Sequence, residues 1–273
     1  MGMPVSTWVE VDLDRFSANL RAVRALVGLD APGGSAGAGP VADAARGLLL
    51  VVKADAYGHG AHKVARRLAD EGATRLAVAN VAEAAELKSA GIDTPVLLLG
   101  AYMRTECEDI LDLDAATSIS SVAFAEDLDR AASRRKARAR VHVKVDTGMS
   151  RLGIPAAKAI EAIERVSVLS NLVIEGIFTH FASADEEDKT FTMRQVAEFN
   201  RVISTVEGMG IKFKYIHAAA TAACMEVPEA HFNCLRPGIA LYGLRPSGEC
   251  GGAAKLKPVM EFASRIVHVE THS

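Results

Sequence analysis

One lysine in the sequence stands where a charged side chain is unusual. Lys53 directly follows the apolar run Leu48–Val52, and the segment ADAYGHG, residues 54–60, comes next. Burial of an unpaired ammonium group is costly, so a lysine that ends a buried strand must be neutralised, paired or used chemically. An activated lysine can form a Schiff base with a carbonyl compound. The segment therefore indicates either a reactive amine or an ordinary surface lysine.

Other polar side chains also follow apolar segments, and they are Lys144, Arg151, His180, His217 and Arg236. Each has a purely structural explanation as well. The histidines could be hydrogen-bonded core residues, and Lys144 alternates with three valines, so it could point outward from its strand. Asp146-Thr147-Gly148 could be no more than a turn. From the residues alone, both interpretations stay open.

Strand and helix patterns alternate along the chain. Apolar segments are predicted as strands at 48–53, 76–79, 95–99, 118–120, 141–145, 172–178, 213–216 and 232–235. Eight β-α units in a chain of this length favour an α/β fold of the (β/α)8, TIM type over an open doubly wound sheet. No GxGxxG motif follows the first strand, which counts against a dinucleotide-binding fold. Active groups of such barrels lie at the C-terminal ends of the strands, where the polar residues above are expected to meet.

The segments after the last two predicted strands could bind a phosphate group. Thr221 offers a hydroxyl, Gly238 lets the backbone approach an anion, and Ile239 supplies an adjacent N–H. Loops at this position are the usual phosphate site of TIM-type barrels. A phosphate site opposite a reactive lysine suggests a phosphorylated aldehyde cofactor, and pyridoxal 5'-phosphate fits that description.

Composition narrows the possible partners. The chain has 273 residues, is 49% hydrophobic and carries a formal net charge of −3, which gives no electrostatic reason to expect nucleic acid or an anionic membrane. Its 4 cysteines have neither CxxC pairing nor metal-ligand spacing, so no metal is expected and reduced thiols in a cytoplasmic protein are the simplest interpretation. No apolar run approaches the roughly 20 residues that cross a bilayer.

Two domains are predicted. Residues 1–250 would form the barrel, with an N-terminal strand and helix included and a flexible loop over the Gly-rich stretch 31–47. Residues 251–273 would begin a C-terminal β-domain, with strands near 256–260 and 264–269, and the sequence ends before that domain is built.

Several segments together resemble the alanine racemases, which are pyridoxal-phosphate enzymes with a barrel fold. The matching segments are VKADAYGHG at 52–60, KVDTGMSR at 144–151, THFA at 179–182, RPGIALYG at 236–243 and the opening residues 8–14. The likeness runs from about residue 6 to the end of the sequence. The resemblance implies interconversion of L- and D-alanine, an isomerase reaction, by a homodimer.

The resemblance also implies roles for individual residues. Lys53 would hold the cofactor as a Schiff base (an aldimine) and act as one of two catalytic bases, with His180 close behind the reacting pair. The other cofactor-binding residues would be Tyr57, Thr221, Arg236, Gly238 and Ile239, and Arg151 would contact the cofactor's phenolic oxygen or the substrate carboxylate. Arg236 can only donate a hydrogen bond. The pyridine nitrogen that it contacts would stay unprotonated, which favours reprotonation at the substrate Cα over transamination. Lys144 matches a lysine that is carbamylated in some relatives.

The sequence departs from the family pattern in two places. The second catalytic base of the family is a tyrosine of the partner's C-terminal domain, and Tyr102, Tyr215 and Tyr242 all lie in the predicted barrel. We therefore expect impaired racemisation by this chain alone. Ala220 stands where the family usually has asparagine, so one hydrogen bond beside the cofactor is missing from the pattern. The alternatives are a barrel that only carries pyridoxal phosphate, an amino-acid aldolase or decarboxylase of the same fold, and a phosphate-binding barrel without a Schiff base.

Overall fold

The computed structural model describes residues 6–29, 47–250 and 255–272. Eight parallel strands form the central sheet in the order β10-β2-β3-β4-β5-β6-β8-β9. They are β2 (Gly47–Val51), β3 (Arg75–Val78), β4 (Val96–Leu98), β5 (Ala116–Ile119), β6 (Ala139–Asp146), β8 (Leu172–Phe178), β9 (Tyr215–His217) and β10 (Cys234–Leu235). A bridge between Ala220 and Arg236 joins the two ends of this order, and the Arg236 N–H donates to the Ala219 carbonyl at 2.9 Å. The predicted (β/α)8 barrel is confirmed.

Helices cover the outside of the barrel. The α-helices are α1 (Leu13–Leu26), α3 (Ala61–Asp70), α4 (Val81–Ser89), α5 (Cys107–Asp112), α6 (Val122–Arg135), α7 (Ala156–Ser167), α8 (Thr190–Gly208) and α9 (Thr221–Glu226). The segment α2 (Lys53–Gly58) is a left-handed turn at the end of β2. Short 3-10 helices lie at Arg104–Glu106, Pro228–Ala230 and Ile239–Tyr242, and a two-residue strand, β7 (Ile154–Pro155), pairs with β6. In α3 the spacing of Val64, Ala65 and Leu68 places all three on one fully buried face, as helical periodicity requires.

Strand β6 shows how side-chain alternation divides the core. Val141, Val143 and Val145 are buried in the layer between the barrel and the helices, together with Ala159 and Ile163 of α7. Because successive side chains point to opposite faces, His142 and Lys144 point into the barrel. Lys144 is only 5% exposed, and its amine lies 5.5 Å from the centre of the Phe178 ring. The outward orientation considered for Lys144 is therefore wrong, since the face opposite the valines is the barrel interior.

The first and last strands form a separate small sheet. β1 (Thr7–Val11) pairs antiparallel with β11 (Met260–Ser264), so β1 pairs outside the barrel sheet. Strands were predicted near 256–260 and 264–269, whereas the observed strand β11 lies between them and overlaps each by one residue. Asn19 of α1 holds the adjoining chain, because its amide donates to the Lys257 carbonyl at 2.8 Å and accepts from the Lys257 N–H at 2.8 Å. The division into domains at residue 250 stays a prediction, and the loop predicted at 31–47 lies almost wholly outside the described residues.

Candidate active site

A cavity of about 540 Å³ opens at the C-terminal ends of the barrel strands. The residues singled out from the sequence that line it are Lys53, Tyr57, Lys144, Arg151, His180, Ala220, Thr221, Arg236, Gly238 and Ile239. These residues come from five different strand ends or the segments after them, so only the barrel brings them together. Lining residues that sequence reasoning missed are Met149, Phe178, Asp185 and Pro246. Met149 lies within the KVDTGMSR segment, whereas Phe178, Asp185 and Pro246 lie outside the matching segments.

Lys53 begins a left-handed turn at the end of β2. Residues 54–57 all have φ between 51° and 54°, a conformation that costs an L-residue about 1–2 kcal/mol. Three hydrogen bonds hold the turn: Ala56 N–H to the Val52 carbonyl (2.9 Å), Ala54 N–H to Glu83 Oε1 (2.9 Å) and Ala61 N–H to Asp55 Oδ1 (2.6 Å). The turn directs Lys53 and Tyr57 to the same cavity, with the Lys53 amine 5.9 Å from the centre of the Tyr57 ring.

Gly238 and Thr221 form the part of the cavity wall predicted to bind phosphate. A Cβ atom on Gly238 would lie 2.9 Å from the Tyr57 hydroxyl, so only glycine fits there without a shift. The Thr221 oxygen accepts from the Gly238 N–H at 3.0 Å and from the Ala240 N–H at 3.4 Å. With both acceptor positions of the hydroxyl used, its proton is the group that Thr221 has left to offer an anion.

Arg236 lies at the base of the cavity and is held by the barrel. Its guanidinium donates to the carbonyls of Thr179 and Ala218, each at 2.9 Å, and to Nδ1 of His217 at 2.9 Å. Burial lowers the pKa of Arg236 to about 10, which still leaves it charged at neutral pH. His180 Nδ1 lies 3.4 Å from the guanidinium. Burial, followed by the charge of Arg236, lowers the pKa of His180 to about 3, so this histidine is neutral.

The loop after β6 carries Arg151 to the cavity. Oδ1 of Asp146 accepts from the N–H groups of Gly148 and Ser150 at 2.9 and 3.0 Å, so the Asp-Thr-Gly segment is a turn. Burial, followed by the charges of Arg151 and Arg236, lowers the pKa of Lys144 to about 8. The Lys144 amine is therefore much less basic than an ordinary lysine side chain.

The charges around the cavity define the ligands that it fits. Lys53, Lys144, Arg151 and Arg236 line it, and the described lining residues include a single carboxylate, Asp185. Such an excess of cationic donors suits a ligand with more than one anionic group. A phosphorylated aldehyde together with an amino-acid carboxylate meets this requirement, so the residues present fit pyridoxal phosphate.

Two further findings concern residues away from the cavity. All 4 cysteines, at 107, 224, 234 and 250, are free and buried. Burial raises the pKa of Cys224 and of Cys234 to about 12. Across the ranges that the structure describes, no helix combines the length and the apolar character needed to cross a membrane.

Comparison with known proteins identifies the family. The model of the family described as "Alanine racemase, N-terminal domain" matches residues 38–246. The alanine racemase of Desulforamulus reducens is 41% identical over 265 residues, which cover 96% of this chain and 68% of that protein. The alanine racemase of Clostridium tetani is 40% identical, with 96% of this chain and 64% of that protein covered.

Solved structures agree with the sequence comparison. The alanine racemase of Clostridium difficile 630 in complex with cycloserine has a TM-score of 0.90 and 33% identity, and the match covers 99% of this chain and 71% of that one. The alanine racemase of Bacillus anthracis with bound L-Ala-P has a TM-score of 0.84 and 30% identity, over 96% and 64% of the two chains. This chain thus spans about two thirds of the length of these relatives. On this evidence, the chain belongs to the alanine racemase family.

Proposed function

We propose that this barrel is the cofactor-binding domain of a pyridoxal-phosphate-dependent racemase that interconverts L- and D-alanine. The observation that carries the proposal is the convergence of Lys53, Arg236 and the Thr221–Gly238 wall on one cationic cavity. The relatives named alanine racemase support alanine as the substrate. An amino-acid aldolase or a cofactor carrier would need the same cofactor-binding residues. These residues therefore give no reason to prefer an aldolase or a carrier to a racemase.

Each residue would hold a different part of the cofactor. Lys53 would hold its aldehyde carbon covalently, and the Thr221 hydroxyl with the backbone of Gly238 and Ile239 would bind its phosphate. Tyr57, whose hydroxyl adjoins Gly238, would also contact the phosphate. When bound, the cofactor supplies the electron withdrawal that makes the substrate Cα–H acidic.

The remaining residues would govern where protons lie. Arg236 is charged and can only donate, so it would hold the ring nitrogen in its unprotonated form. Arg151 would bind the substrate carboxylate or the cofactor's phenolic oxygen, and neutral His180 would stay beside Arg236 without adding charge. Lys53 would exchange the Cα proton on one face of the substrate.

Racemisation needs a second base on the opposite face. Tyr102 donates to the Ala79 carbonyl at 2.9 Å, Tyr242 donates to the Val51 carbonyl at 3.1 Å, and Tyr215 stacks on His142 inside the barrel. All three are thus held away from the cavity lining. We propose that the second base comes from a C-terminal domain of a partner subunit, beyond the barrel described here.

Alanine racemisation tests this function. The longest natural form of the polypeptide, loaded with pyridoxal phosphate, should interconvert L- and D-alanine, and Lys53→Ala should abolish the reaction. The 273-residue chain alone should racemise poorly, and near-normal activity of that chain would refute the assignment of the second base. A longer form that binds the cofactor without racemising alanine would instead support a carrier, an aldolase or a decarboxylase.

We propose that Lys144 is carbamylated. Carbon dioxide reacts with the neutral amine, and a pKa near 8 makes that form far more abundant at neutral pH than in an ordinary lysine. The negative carbamate would offset the nearby charges of Arg151 and Arg236. Intact mass spectrometry under mild conditions with bicarbonate should show one added CO2 per chain that Lys144→Met removes. An unmodified Lys144 in well-resolved density would contradict this.

The described C-terminal residues and the cysteines bear on the assembly and location of the protein. Apolar side chains stand exposed on β11 and the residues after it, namely Phe262, Ile266, Val267 and Val269. We propose that this region adjoins the interface of a homodimer, as the family resemblance implies. The free cysteines favour a reducing compartment, the cytoplasm.

A further inference from the structure

A row of buried polar side chains runs through the barrel from the cavity towards its opposite end. Arg236 contacts Nδ1 of His217 at 2.9 Å, and Nε2 of His217 contacts Nδ1 of His142 at 2.7 Å. Nε2 of His142 faces Oε2 of Glu175 at 3.9 Å, and the same oxygen pairs with Arg75 at 3.0 Å. Both histidines are fully buried. The proposed function uses Arg236 and leaves the residues behind His217 without a role.

The contact with Arg236 determines which ring nitrogen of each histidine carries the proton. Arginine has no acceptor, so Nδ1 of His217 must accept from Arg236. Burial, followed by the charge of Arg236, holds the pKa of His217 well below its usual value, so the ring is neutral and carries its proton on Nε2. That proton is donated to Nδ1 of His142, which places the single proton of a neutral His142 on its Nε2, towards Glu175.

Glu175 is needed because Arg75 works against this arrangement. Arg75 lies 3.5 Å from Nε2 of His142 and, as a donor, would favour a bare nitrogen there. If Arg75 prevailed, the proton of His142 would move to Nδ1 and face the Nε2 proton of His217. The carboxylate of Glu175 pairs with Arg75 and attracts the His142 proton, which removes the conflict. Burial disfavours the charged form of Glu175, but His142 and Arg75 outweigh it and lower the pKa of Glu175 to about 2.

Two backbone features place these side chains. The pairing of β6 with β8 shifts at this point, since Val141 pairs with Ile174 and His142 with Gly176, so Glu175 is the extra residue of a bulge. A bulge re-aims a side chain that regular alternation would direct elsewhere. A Cβ atom on Gly176 would lie 2.5 Å from Nδ1 of His142. Glycine at 176 therefore makes the room that the contact between the two histidines requires.

We propose that Glu175 and His142 are positioning residues for Arg236. Glu175 stabilises the His142 tautomer with its proton on Nε2, and this tautomer accepts the Nε2 proton of His217. His217 then presents to Arg236 the bare Nδ1 that holds the guanidinium at the base of the cavity. The role given to Arg236 rests on the proposed function, whereas the histidine tautomers can be measured whether or not that function is correct.

Nitrogen-15 NMR of the histidine rings tests the proposal directly. Long-range proton–nitrogen spectra of the cofactor-loaded chain distinguish a bare ring nitrogen from one that carries a proton. Both His142 and His217 should be neutral at pH 7 with the proton on Nε2. Signals are assigned with His142→Gln and His217→Gln, or from contacts between the two rings if those variants do not fold. A proton on Nδ1 of either ring, or two protons on either ring, would overturn the proposal.

Variants of Glu175 separate its role from a general effect on folding. Glu175→Gln keeps an acceptor and should preserve both tautomers, whereas Glu175→Leu should give a mixture at His142. The double variant Arg75→Leu/Glu175→Leu removes the competing donor and the unpaired buried charge, so it should fold and restore the Nε2 proton. If His142 keeps a single Nε2 proton in Glu175→Leu, Glu175 does not set the tautomer and its assigned role is wrong.

The effect on Arg236 is measured in the longest natural form of the polypeptide. Glu175→Leu should lower kcat for racemisation about threefold to thirtyfold with little change in KM, the range for residues that act through others. Glu161→Gln, an exposed site on α7, should change neither constant. An unchanged kcat beside a mixed His142 tautomer would overturn the positioning role. Mass analysis of the Lys53 adduct in the same samples shows separately whether the proposed cofactor chemistry is correct.

Discussion

At the scale of single residues, the contact between Tyr57 and Gly238 decides how the cavity wall can be built. The Tyr57 hydroxyl fills the space that a Cβ on residue 238 would need, at 2.9 Å. The steric requirement for glycine comes from the neighbouring hydroxyl, and a substitution can test it.

Gly238→Ala should weaken binding of pyridoxal phosphate by about tenfold, because overpacking of this kind costs about 1–3 kcal/mol. Tyr57→Phe removes the clashing oxygen, so Gly238→Ala should cost less affinity in that background, as a double-mutant cycle of cofactor dissociation constants would measure. Gly208→Ala at the end of α8, where a Cβ meets nothing within 4 Å, is the matched control. An equal loss in both backgrounds would refute the steric argument.

At this scale, the sequence pattern could not show which face of a strand points into the barrel. The alternation of Val141, Val143 and Val145 with His142 and Lys144 was visible in the sequence. Burial of the valines, however, did not show whether the opposite face of the strand is exposed or buried. In a closed barrel both faces of a strand are buried, and the inner one here is polar. His142 was overlooked for this reason, although its i, i+2 spacing from Lys144 was a usable signal. Glu175 could not have been found, since a bulge leaves no trace in the sequence pattern.

At the scale of elements, the left-handed turn after β2 is the part of the fold that local propensity opposes. Residues 54–57 are Ala-Asp-Ala-Tyr, without the glycine that usually occupies positive φ. The strand before the turn was predicted from its apolar run. The turn itself was not predicted, because it is stabilised by Glu83 and by the start of α3, which only the tertiary structure brings to it.

Ala54→Gly should raise the free energy of unfolding by about 1 kcal/mol. Glycine removes the Cβ penalty at φ 52°, and the Ala54 side chain is exposed, so little packing is lost. Ala69→Gly, at an exposed position of α3 with ordinary helical conformation, should lower that free energy by about 1 kcal/mol. Urea denaturation of both variants compares them. If Ala54→Gly destabilises the protein as much as Ala69→Gly does, the turn is not strained.

At the scale of the whole molecule, the barrel interior contains an apolar group and a polar row of side chains. An apolar group of Leu49, Val51, Ala77, Leu97, Ala116 and Cys234 fills one side of it. The row from Arg75 and Glu175 through the two histidines to Arg236 is a second group in the interior, with Arg75 paired to Glu175 and Arg236 hydrogen-bonded to His217. Hydrophobic patterning predicted eight strands but gave no information about this polar row, whose members lie up to 161 residues apart, at positions 75 and 236.

More of the candidate site than of the side-chain packing behind it could be predicted from the sequence. Strand ends of a parallel barrel meet at one rim whatever their order, so Lys53, His180 and Arg236 could be placed together from the sequence. The resemblance to the family added the roles of Tyr57 and Arg151. Distances, the bulge at Glu175 and the tautomers behind Arg236 depend on side-chain packing, which sequence pattern does not determine.

The covalent site of the cofactor is the most direct test of the account. The chain is mixed with pyridoxal phosphate, reduced with borohydride and digested, and the modified peptide is identified by mass spectrometry. We predict one adduct per chain, on Lys53, and none in Lys53→Arg. The absence of any adduct, or an adduct on another lysine of the cavity such as Lys144, would contradict the assignment of this barrel as a pyridoxal-phosphate site built around Lys53.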